Sequence, residues 1–218
     1  MERGDVEILH EPFSQLMDFG SSTVGDIRTT SETNLIKEVM RFARKRRVFF
    51  KDTTDFYYPE VLRNQEFLST GRHTFLIREP GAVISSHFAK NPEVTLPEIG
   101  FARLYEIYMA VTDASGAHPI VIDSDDLATS PHEIVEAYNE SVGLPHRPHS
   151  LSWSAGEQPE WAKTSEWHAE VSGTSAFTPE SSKYDQTPEN NPRLADFLEK
   201  ERPYYEFFRE RAVKLTNS

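Results

Sequence analysis

Two spacings of apolar residues alternate along this chain, and the switches between them mark out its elements. Short apolar runs at residues 6–9, 48–51, 74–77 and 119–122 are rich in β-branched and aromatic side chains and read as strands. Between them the spacing becomes helical. Phe13, Leu16 and Met17 form one face of a short helix that Gly20 ends. Leu35, Ile36, Val39, Met40, Phe42 and Ala43 give the apolar side of a second helix, with Asn34 as its cap and a basic run, Arg41 to Arg47, at its end. Residues 20–32 read as a loop, and residues 59–63 as one helical turn. Pro80 sits where a helix should begin after the third strand. A long helix is predicted over 96–113, and another from Pro131 to Gly143 with a Ser130/Glu133 capping box. Residues 144–193 carry three Trp and little periodicity. The last helix, 191–211, contains Pro203, where a kink is expected. Strands alternating with helices predict a parallel α/β sheet flanked by helices, in a single domain spanning 1–218.

Composition narrows the chemistry. The 218 residues carry 23 basic and 35 acidic side chains, a net charge of −12, which argues against nucleic-acid or anionic-membrane binding. There is no cysteine, so neither a disulfide framework nor a thiolate metal site or nucleophile is available. No run reaches the roughly 20 apolar residues of a membrane span. No metal is expected, and a soluble cytoplasmic protein is the expectation.

In open α/β sheets, ligands sit beyond the strand carboxyl ends. Those ends carry His10 and Glu11, Lys51 and Asp52, Arg78, and Asp123. Arg78 precedes the helix that Pro80 opens, a place suited to an anion. Ser86, about two turns into that helix, could add a hydroxyl. The structural alternative is an Arg78 paired with Glu79 or Asp123.

The run LIREPGAVISSHF (76–88) resembles the 3′-phosphate-binding segment of sulfotransferases that use 3′-phosphoadenosine-5′-phosphosulfate (PAPS). IDSDDLATSPHEIVEAYNESVGLP (122–145) resembles that family's later strand, acidic turn and Pro-started helix. RGDVEILHEPF (3–13) and LSWSAGEQPEWAKTSEWHAEVSGTSAF (151–177) resemble bacterial sulfotransferase-like proteins. The resemblance implies a P-loop-NTPase-like fold and PAPS as co-substrate, with Arg78 and Ser86 on its 3′-phosphate. It implies that Lys51 neutralises the leaving group. The base is expected to be Glu11, with His10 second and Asp52 and Asp55 as further candidates. Thr53 stands where many animal and plant members have a His. Phe56, Tyr57, Tyr58, Trp153, Trp161 and Trp167 could line a pocket for a small-molecule acceptor.

The resemblance also has a gap. The family's amino-terminal strand and phosphate loop have no counterpart here, neither G-x-x-x-x-G-K-S/T nor Pro-Arg-Ser. The expectation is a start that lies further upstream or a half-lost cofactor site, a sheet with a gap and unpaired edges, and weak PAPS binding. The alternatives are a catalytically silent nucleotide- or partner-binding protein and another P-loop-like phosphotransferase. Oligomeric state is not legible.

Overall fold

The computed structural model describes residues 3–156, 172–179 and 183–214. Strand β1 (Glu7–His10) lies parallel to β4 (Val48–Lys51), with His10 opposite Lys51. Between them come α1 (Pro12–Phe19), a small antiparallel hairpin of β2 (Ser22–Val24) and β3 (Ile27–Thr29), and α2 (Glu32–Ala43). After β4 the chain makes α3 (Pro59–Arg63) and α4 (Gln65–Thr70), then β5 (Thr74–Ile77) and α5 (Pro80–Lys90). Helices α6 (Leu96–Ile99) and α7 (Phe101–Ser115) lead to β6 (Ile120–Asp123), which pairs in parallel with β5. Then follow α8 (Ser124–Thr129), α9 (Pro131–Val142), a 3-10 turn (Pro148–Leu151) and the long α10 (Pro192–Arg211).

The predicted α/β architecture is therefore present, with every predicted strand within one residue of its place. The sheet is divided, however. Apart from the β2–β3 hairpin, the described strands form two separate parallel pairs rather than one sheet. The outer edge of β6 is occupied, because Val121 bridges Ala212 and accepts the amide of Val213. The other edge of β5 meets no strand among the described residues.

Packing follows the strand alternation. Phe75 and Ile77 point into the core, where the Phe75 ring lies 5.1 Å from Tyr108 of α7 and 6.1 Å from Phe208 of α10. Leu76, on the opposite face, is 59% exposed, and Phe49 on β4 is 40% exposed. Parallel strands are ordinarily covered on both faces, so these two apolar side chains mark uncovered sheet.

Local differences from the sequence reading have physical causes. The long helix predicted over 96–113 breaks at Gly100, whose φ of 91° belongs to the left-handed region. A Cβ there would lie 2.6 Å from Thr54 Oγ1, so the glycine also permits close approach of the loop after β4. The cap of α2 is Ser31, which accepts from the Asn34 amide, rather than Asn34 itself. The loop expected over 20–32 contains the hairpin. The capping box expected at Ser130 does not form, whereas Thr95 and Glu98 make one at α6. Helix α10 contains Pro203 in its interior, as expected from the sequence.

Candidate functional site

Two neighbouring strand ends converge on one ion pair. Glu11 directly follows β1, Lys51 closes β4, and the Lys51 ammonium contacts Glu11 Oε1. The carboxylate is buried at 8% exposure, while the lysine reaches into solvent. His10 Nε2 lies 3.5 Å from the other carboxylate oxygen, with its ring almost enclosed. Glu11 adopts φ 43°, ψ 54°, the one non-glycine residue at positive φ among those described. A side chain there is strained, and the following Pro12 disfavours the conformation further.

Asp52, next to Lys51, does something the sequence did not reveal. Its carboxylate accepts the amides of Phe13 (3.0 Å) and Ser14 (2.7 Å), and the Ser14 hydroxyl (2.7 Å). It thus caps α1 from another strand. Burial pushes its pKa up to about 7, against the lowering effect of these bonds. Ser14 Oγ also lies 2.9 Å from Thr53 Oγ1 and 3.1 Å from the Tyr58 hydroxyl. Thr53 in turn donates to Asp55. The network reaches α5 electrostatically, because Asp55 opposes the downward shift that burial imposes on His87, the residue after Ser86. Arg103 of α7 donates to the Asp55 carbonyl and pins the loop. The polar path therefore runs from the β1 and β4 ends towards α5.

Arg78 lies just past β5, half-buried, and Ser86 is half-buried on α5. The helix amino terminus between them is not open. Glu79 Oε2 accepts the Ala82 amide at 2.8 Å. The same occurs at β6, where Asp123 Oδ1 accepts the Asp125 amide at 2.9 Å. So the turns after β1, β5 and β6 each have helix amides filled by the protein's own carboxylate: Asp52, Glu79 and Asp123.

The chain matches the sulfotransferase domain family over residues 1–212. It belongs to that family. No curated protein and no solved structure shows significant similarity to it. Membership assigns the chain to sulfuryl-transfer chemistry in general, which needs an acceptor nucleophile, neutralisation of a leaving group and a proton acceptor.

In this sulfotransferase-domain chain several sequence candidates have structural roles. Asp123, at 2% exposure, accepts from Tyr205 at 3.2 Å and lies 3.5 Å from Arg209, so it anchors α10. Tyr58 is core, its ring 5.8 Å from Phe13. Phe56 packs against the core from a half-buried position. Trp153 packs edge-on against Phe177 at 5.2 Å. Tyr57, 49% exposed, is the aromatic left facing solvent in the loop after β4. Trp161 and Trp167 lie outside the described residues. Among the described residues no group of three or more His, Asp or Glu could hold a metal, and no helix is long and apolar enough to cross a membrane.

Proposed function

We propose that this chain transfers a sulfuryl group from PAPS to a hydroxyl or amine of a small molecule, as a single domain acting in the cytoplasm. The observation that carries the reading is the Glu11–Lys51 contact at adjacent parallel strand ends. PAPS, when bound, supplies an activated sulfuryl group and a phosphate leaving group. Lys51 places a positive charge where the leaving oxygen develops negative charge. Glu11 holds the acceptor's hydroxyl or amine and takes its proton, with His10 behind it as an orienting neighbour. Arg78 offers a planar fork and Ser86 a hydroxyl to the 3′-phosphate.

The residues present fit one end of the co-substrate. In the turns after β1, β5 and β6, carboxylates of the chain itself already accept helix amides that a phosphate would otherwise use. That observation favours a second reading, a silent protein that binds a nucleotide or a partner. It also supports weak PAPS binding by this chain, above micromolar dissociation constants.

Calorimetry with PAPS and with 3′-phosphoadenosine 5′-phosphate, on the parent protein and on Arg78→Ala and Ser86→Ala, tests the clamp. Loss of a charge-assisted phosphate contact should weaken binding roughly ten- to hundredfold. Unchanged affinity in Arg78→Ala would remove the central assignment. Transfer of labelled sulfate to a panel of alcohols, phenols and amines separates enzyme from silent binder.

A further inference from the structure

The geometry points to Asp52 as the residue that positions the Glu11–Lys51 pair, through its grip on the first turn of α1. The inference rests on the reading above for its consequence in sulfuryl transfer, but its structural argument stands on contacts alone.

Glu11 has no local reason to hold a positive φ. It is not glycine, and it precedes a proline, which favours extended backbone. What fixes it is the placement of the helix that follows. Asp52 holds the Phe13 and Ser14 amides and the Ser14 hydroxyl. Gln15 adds a side-chain bond to the His10 carbonyl at 2.8 Å, and its amide bonds the Glu11 carbonyl at 2.9 Å. With the residues on both sides held, Glu11 is forced into the left-handed region, and its carboxylate falls on Lys51. Lys51 and Asp52 are consecutive, so one strand end supplies both the cation and the brace. The cost of a left-handed glutamate and the gain from a carboxylate cap are of similar size. Removing the brace is therefore enough to let Glu11 relax and carry its carboxylate off the lysine.

Asp52 is a positioning residue here and not the proton acceptor. Both of its oxygens are committed to α1. The other ionisable groups around Glu11 are Lys51, His10 and, by charge interaction, Asp18 and Asp52 itself. Of these, Lys51 and His10 touch the Glu11 carboxylate, one on each oxygen.

The test reads the ion pair directly, on the full chain, without donor or acceptor. Lysine amines are labelled with a limiting amine-reactive reagent at fixed pH and quantified by mass spectrometry. Lys51 is expressed relative to the exposed Lys37 of α2. Glu11→Gln gives the value for a released lysine. Asp52→Ala should raise Lys51 labelling roughly two- to fivefold, the protection that an ion pair at a half-exposed site provides. Asp52→Asn retains one cap acceptor and should fall between Asp52→Ala and the parent. A purely local cap would lower the melting temperature of both variants and leave the Lys51 to Lys37 ratio at the parent value, which would overturn the proposal. Should Asp52→Ala fail to fold, the folded Asp52→Asn variant decides by the same ratio. Absence of sulfuryl transfer in the parent would count against the proposed function and leave this result readable.

Discussion

Glu11 combines three features rarely found together: burial, a left-handed backbone and a lysine partner on the next strand. If it takes the acceptor's proton, Glu11→Gln should lower the transfer rate by about 10²- to 10⁴-fold, measured at saturating PAPS. A smaller loss, with His10→Ala causing the larger one, would move the base to His10. Glu11, Lys51 and Arg78 were legible in sequence because each stands at the carboxyl end of a recognisable strand. The role of Asp52 was not. It depends on α1 starting beside β4, a fact of tertiary placement that no spacing within residues 48–53 encodes. Its neighbour Lys51 stands out by position and resemblance, and the same pattern offers Asp52 as a base and not as a cap.

At the level of elements, Gly100 and Glu201 govern how α7 begins. Gly100→Ala would place a Cβ 2.6–2.9 Å from the Thr54 hydroxyl and carbonyl in a left-handed backbone. A loss of about 1–3 kcal/mol in chemical denaturation is expected, and a loss below that would mean the loop after β4 can give way. Glu201 of α10 is 2% exposed, and its buried Oε2 has no hydrogen-bond partner among the described residues. Burial pushes its pKa up to about 7 from the ordinary 4.5. The fold thus retains a proton that the unfolded chain releases earlier. Its contribution is fully present below pH about 4.5 and is lost as pH rises through 7, on the order of 3 kcal/mol. Asp52, raised to about 7 by burial, contributes in the same direction over an overlapping window. Glu201→Gln should flatten the decline of stability between roughly pH 4.5 and 7. A slope equal to the parent's would show that Glu201 is ionised in the fold. The hairpin of β2 and β3 has a signal in the sequence, Gly25-Asp26 between Val24 and Ile27. Its strands are three residues each, too short for a two-residue period to stand out.

For the whole molecule, the contrast between adjacent residues of β5 is a direct test of which sheet face is covered. Phe75→Ala should cost about 3–5 kcal/mol. Leu76→Ser should change stability by less than about 0.5 kcal/mol, and it should reduce self-association in light scattering, since an uncovered apolar strand face invites it. A large loss in Leu76→Ser would mean that the face is covered in solution. Strand and helix periods made the α/β class legible. The division into two parallel pairs was expected only from the resemblance, because hydrogen bonding between non-consecutive strands leaves no trace in local pattern.

The contact of Ala212 and Val213 with Val121 gives this sheet a direction. The β6 flank is covered by Ala212 and Val213, whereas no strand among the described residues pairs with the β5 flank. In native-state deuterium exchange the outward amides of Thr74–Ile77 should trade their protons rapidly, in alternation along the strand, while the Val213 amide bonded to Val121 stays slow. Among the described residues, the β5–β6 pair has its open hydrogen-bonding edge on the β5 side.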